Sequence, residues 1–167
     1  CVILPGVGFD VVPTDCLAAT LAAAMPDAVD LQLAFSGGQL SKGTTKTMLA
    51  HLGDGGAVRK HGVIEKVPLA DEVKMVPFHD KTRHCVLIPW GDVSTAFYST
   101  GIENIRVYTG ANKSRVRQMK AMRYLAPLLS SNFAQKKLNT LIDARVAGPD
   151  AATREAMTTE LWGQVTS

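Results

Sequence analysis

The sequence predicts an α/β (α+β) fold: a mixed β-sheet of about five to six strands packed against helices, with a helical C-terminal arm. Three observations lead to it. Short apolar runs bounded by Gly, Pro and Asp recur between residues 29 and 109, the pattern of strands and turns. Helix-patterned stretches interrupt them, and after Gly110 the helical period takes over. Hydrophobic residues make up 46% of the 167 positions and charged residues 20%, enough apolar material for the core of one ordinary domain and against disorder. Residues 1–110 read as the mixed α/β domain and residues 111–167 as a helical extension of it.

Each element follows in order. Cys1-Val2-Ile3-Leu4 is an apolar run stopped by Pro5-Gly6, expected as a buried strand. Because termini usually fray, a strand that opens at full strength leads us to expect further polypeptide upstream. A loop runs to Val12, and Pro13 and Asp15 then suit the first turn of a helix to about Ala24, ended before Pro26. The Ala-rich surface of that helix calls for a closely packed neighbour. Val29 to Phe35 alternates apolar and polar as a half-buried strand does. Ser41 is an N-cap for a helix to about Leu52, and Gly53-Asp54-Gly55-Gly56 stops it. Strands are expected at Ala57–Ile64, Val73–Phe78, His84–Ile88 and Ile102–Thr109, with a short helix between Pro89 and a Gly101 stop. Trp90, Phe97 and Tyr98 are expected to anchor that helix on the sheet. Helices are expected over Lys113–Leu129, Asn132–Ala147 and about Ala151–Trp162. Met119, Met122 and Leu125 form the core face of the first of these.

The formal net charge of +3 and the spread of the basic residues give no case for nucleic acid. Cys1, Cys16 and Cys85, odd in number and widely spaced, form neither a disulfide framework nor a zinc pattern; reduced thiols in a cytoplasmic protein are expected. No apolar run is long enough to span a bilayer, and no basic leader opens the chain.

Gly6-Val7-Gly8 begins like a dinucleotide fingerprint, but Val11 stands where the third glycine belongs, so a complete cofactor site is not expected within this chain. The loop still has useful chemistry: two glycines for close backbone approach, and Asp10 and Asp15 near a helix start. An N-cap carboxylate in a tight turn explains the same residues. Lys113, Arg115, Arg117, Lys120 and Arg123, with Tyr124, form a basic stretch that suits phosphates or an acidic carrier surface, or else the wet face of a helix. Proton donors by type are His51, His61, His79, His84 and Tyr98, none in a recognisable motif.

Gly8-Phe9-Asp10-Val11-Val12-Pro13-Thr14-Asp15 resembles the G-F-D-x-x-P-[ST]-D segment of saccharopine-dehydrogenase-like oxidoreductases, in particular the subgroup of trans-acting enoyl reductases. Ser41-Lys42-Gly43-Thr44 is similar to the group's S-x-G-T segment, and Gly148-Pro149, Arg154 and Trp162-Gly163 to its G-P…R…W-G segment. The resemblance implies an α/β substrate and dimerisation domain whose N-terminal Rossmann domain, absent here, holds NAD(P). It assigns Gly8, Phe9, Asp10 and Pro13 to the cofactor side of the cleft and Asp15, Ser41, Gly43 and Thr44 to the substrate side. A small-molecule or acyl-type substrate and a homodimer follow as expectations, with tight NAD(P) binding expected only of the full-length parent. The alternative, from another class, is a non-catalytic dimerisation or small-molecule-binding module.

Overall fold

The computed structural model describes residues 2–3, 8, 12–38, 41–129, 132–145 and 150–167. Val12–Ala24 forms α1, with Pro13 in its first turn. Asp30–Gly37 is β1 and Lys42–Ala50 is α2, followed by a 3₁₀ turn at Leu52–Asp54. Gly56–Lys60 (β2), Val63–Val67 (β3), Val73–Pro77 (β4) and Thr82–Leu87 (β5) come next. Asp92–Thr100 (α3) ends on left-handed Gly101, and Asn104–Gly110 is β6. Lys113–Leu129 (α4), Asn132–Arg145 (α5), Ala151–Ala156 (α6) and Thr159–Thr166 (β7) complete the described chain.

The seven strands make one mixed sheet whose main path is β3-β2-β6-β1-β7. β1 and β6 are parallel, from Asp30 against Asn104 to Phe35 against Thr109. β7 runs antiparallel along all of β1. The other edge of β6 is divided: β2 meets it at its start, through Arg59 and Ile105, and β5 at its end, from Leu87 against Tyr108 to Cys85 against Gly110. Among the described residues, β4 pairs only with β5.

Period-two alternation sorts the core into two faces. Leu31, Leu33, Phe35, Val86, Ile105 and Val107 form the first, under α1, α3 and the Val116–Met119 side of α4. Residues of this size contribute about 1.5–3 kcal/mol each when fully buried. Ala34, Cys85, Leu87, Tyr108 and Trp162 belong to the second, with Val58, Val76 and Phe78. Two strands lie between β4 and β1 in the sheet order, yet Lys74 Nζ on β4 donates to Gln32 Oε1 on β1 at 2.5 Å. The β4–β5 hairpin therefore curls back over the second face. Its tip reaches β7, where Arg83 pairs with Glu160 and the Asp80 amide donates to Glu160 Oε1 at 3.4 Å.

The α/β class and its mixed sheet are as the sequence predicts, with seven strands rather than five to six. Four expectations need correction. The strand expected over Ala57–Ile64 is two strands joined at His61-Gly62, whose φ values of 47° and 76° make a two-residue turn matched to the strand twist. The helix expected over Ala151–Trp162 stops at Ala156, and the chain continues as β7, so the C-terminal arm is not wholly helical. Gly163 lets that strand lie directly under α1: a Cβ there would meet Leu21 Cδ1 at 2.5 Å, which is the close neighbour the Ala-rich helix required. Val2 and Ile3 are in no strand and are 85% and 82% exposed. Tyr98 and Leu125, expected in the core, are 83% and 50% exposed, whereas Trp90, Phe97 and Met119 do pack against it.

Candidate functional site

The start of α1 is tied to α3 by two hydrogen bonds. Thr14 Oγ1 donates to Asp92 Oδ1 at 2.6 Å, with both residues fully buried. Ser99 Oγ donates to Asp15 Oδ2 at 2.6 Å. Two residues before Asp92, Trp90 stacks on Phe35 with ring centroids 4.8 Å apart. This series of contacts anchors the Pro13-Thr14-Asp15 turn to the carboxyl-terminal part of β1. That end of parallel strands is where open α/β sheets bind ligands.

Among the described residues, Asp15 Oδ1 and Trp90 Nε1 are buried without a hydrogen-bond partner. One is an acceptor and the other a donor. Buried polar groups are nearly always paired, so each such atom requires an explanation. An O–H or N–H would satisfy Asp15, and a carbonyl or carboxylate would satisfy Trp90.

Gly8 is in a bend whose carbonyl accepts from the Val12 amide at 3.0 Å, the first bond into α1. Phe9 and Asp10 lie outside the described residues, as do Gly148 and Pro149. The second segment is elsewhere. Ser41 caps α2, its Oγ accepting from the Thr44 amide at 3.0 Å and lying 2.9 Å from Thr44 Oγ1. Gly43 adjoins the same cap. α2 is held on α5, where Lys46 Nζ lies 2.7 Å from Asp143 Oδ1. Ser41, Gly43 and Thr44 thus build a helix start, and the described contacts do not join them to Asp15. Trp162 and Gly163 lie in β7, with Lys74 Nζ 4.9 Å above the Trp162 ring.

Of the expected donors, His51 pairs with Asp54 at 2.9 Å on an exposed turn, His61 forms the β2–β3 turn and His79 is exposed. His84 is half-buried and lines two open clefts of about 470 and 280 Å³, neither of which is lined by a motif residue. Tyr108 carries no sequence signal beyond its strand, yet it is fully buried. Burial, then the nearby Glu72 carboxylate, push its ionisation well above the ordinary phenol range, against the opposing pull of Arg106. Tyr108 is therefore a protonated phenol, sealed under Lys74.

Among the described residues, no group of three or more His, Cys, Asp or Glu side chains is placed to hold a metal ion, and no helix is long and apolar enough to cross a membrane. No family model matches the chain, and no curated protein matches it significantly.

Proposed function

We propose that this chain is the substrate-binding and dimerisation domain of an NAD(P)-dependent, saccharopine-dehydrogenase-like oxidoreductase that delivers hydride to a C=C, C=O or C=N bond. The observation that carries the reading is Asp15: a residue of the G-F-D-x-x-P-T-D segment keeps one buried carboxylate oxygen unpartnered while Ser99 takes the other. Its Oδ1 is an acceptor for an O–H or N–H of a small polar or acyl-type substrate, and the indole N–H of Trp90 is a donor for a carbonyl or carboxylate. Hydride transfer depends chiefly on such orientation of carbon against nicotinamide. NAD(P) itself is assigned to a separate Rossmann domain, since the chain carries no complete G-x-G-x-x-G.

The test uses the full-length reductase. Asp15→Asn and Trp90→Phe should each raise KM about tenfold, the effect of losing one good polar contact, and leave NADPH affinity unchanged. Unaltered KM in both variants, or tight NADPH binding by these 167 residues alone, would remove the reading. The cytoplasmic assignment rests on Cys16 and Cys85 being free thiols. The homodimer rests on apolar side chains along edge strands, with Val63 64%, Ile64 47% and Met75 50% exposed; sedimentation as a monomer at micromolar concentration would exclude it.

A further inference from the structure

The seam between β5 and α4 carries charge that the described fold does not neutralise. Two open clefts meet there at His84. The larger, about 470 Å³, is lined by Ser36, Thr82, Arg83, His84, Asn112 and Arg115 among others. The smaller, about 280 Å³, is lined by Val73, His84, Lys113, Val116, Arg117 and Lys120. Lys113, Arg117 and Lys120 follow the i, i+4, i+7 spacing of one helix face, while Arg115 turns toward the larger cleft.

Among the described residues, none of these four cations has a carboxylate within ion-pair distance. Their neighbours differ. Arg83 is taken by Asp80 and Glu160, and Arg123 by Asp71 and the Leu69 carbonyl. The chain's net charge is +3, so four unpaired cations on one seam exceed the formal surplus of the whole molecule. The arrangement also works against the helix. Lys113 and Arg115 stand in the first turn of α4, which has no acidic residue, where the macrodipole disfavours positive charge. Lys113 and Arg117 are like charges four apart. A bound anion would relieve both conflicts.

We propose that this seam binds a small phosphorylated ligand, Arg115 taking a phosphate in the larger cleft and Lys113, Arg117 and Lys120 holding one in the smaller. The surface is concave, and the larger cleft adds the hydroxyls of Ser36 and Thr82 and the amide of Asn112, which suits a compact polyanion better than a flat acidic protein face. The site is separate from Asp15 and stands without the reductase reading.

Inorganic pyrophosphate is the probe, titrated calorimetrically into the 167-residue chain at low and at physiological salt. It should bind, and Arg115→Ala and Arg117→Ala should each weaken it about tenfold. Lys66→Ala, which removes an exposed cation on β3, should leave affinity within about twofold, since only local charge is involved. All three variants change exposed side chains, and melting of the α4 variants at or above the wild-type temperature would show that lost binding is not lost fold. Absence of pyrophosphate binding by the wild type overturns the proposal. So does an equal loss from Lys66→Ala, or binding of a polyglutamate peptide in place of pyrophosphate.

Discussion

Thr14→Val probes the contact that fixes the motif turn to the scaffold. Valine keeps the shape of threonine and deletes only the hydroxyl that donates to Asp92. Leaving a buried acceptor without its donor costs about 1–3 kcal/mol, and both residues here are 0% exposed, so water cannot replace the lost hydroxyl. The expected loss is the middle of that range, about 2 kcal/mol. In a chain of this size 1 kcal/mol shifts Tm by about 2–4 °C, so a drop of about 4–8 °C is expected. Urea unfolding should show a lower midpoint with an unchanged slope, because the surface exposed on unfolding is the same. Thr14→Ser, which keeps the hydroxyl, should recover most of the loss. A Thr14→Val protein within about 0.5 kcal/mol of wild type, or a serine variant as unstable as the valine one, would refute the reasoning.

Gly37→Ala should cost about 3 kcal/mol or more in urea unfolding, because φ is +111° and the new Cβ would run into the Thr158 carbonyl oxygen, a backbone atom that cannot swing away. Loss of under 1 kcal/mol would contradict it. Burial pushes the Cys85 thiol up to about 11, against the weaker pull of Arg83 and Lys74. In the native protein Cys85 should resist a thiol reagent at pH 8 while exposed Cys16 reacts, as peptide mapping would show. The folded value lies above the unfolded one, so this contribution is complete below about pH 9 and is lost as pH rises toward 11. For Asp80, desolvation works to raise the carboxyl, but the hydrogen bond and charge of Arg83 outweigh it and hold the group below its ordinary value. The hairpin-tip pairing is therefore present at neutral pH and lost as pH falls through that depressed value. Glu160→Gln should accelerate hydrogen exchange at Val73–Leu87 more than elsewhere in the sheet, and uniform acceleration would count against the curled hairpin.

Much of the fold was legible because the local signals were strong. Ser41 caps α2, Gly101 stops α3 and α4 has the expected bounds, since capping and turn chemistry act within a few residues. The errors have a common origin in tertiary context. His61-Gly62 reads as mid-strand until a positive φ at a non-glycine residue is allowed, an uncommon state that the two flanking strands enforce. Thr159–Thr166 lacks strict alternation because one face lies under α1 and the other near Lys74, so period alone could not separate strand from helix. Of the candidate site, Asp15 was singled out through its motif, and among the described residues its buried Oδ1 has no hydrogen-bond partner. Ser41, Gly43 and Thr44 lie at the start of α2, where Ser41 is the N-cap that local sequence already predicts. Trp90 was placed only as an anchor, and nothing in the sequence marks an indole N–H as unpaired.

Comparison with Arg59 shows which departures from local rules point to a ligand. Arg59 is 6% exposed and, among the described residues, has no carboxylate partner, which at first resembles the other irregular positions. Its guanidinium nevertheless donates to the carbonyls of Val93 at 2.9 Å and Gly62 at 2.5 Å and stacks 4.3 Å from the Phe97 ring. That arginine clamps the β2–β3 turn to α3, and its burial is answered within the fold. The Asp15 oxygen and the α4 cations have no such answer. An unpaired buried acceptor costs about 1–3 kcal/mol, and each like-charge pair on a helix about 0.2–0.5 kcal/mol. On that scale Asp15 is the larger departure, so its substitution should change the stability of the unliganded protein more than replacement of any one of the four α4 cations. If Asp15→Ala, which deletes the orphaned oxygen together with the Ser99 contact, left stability equal to or above wild type while raising KM, the carboxylate would be kept for binding at the expense of the fold.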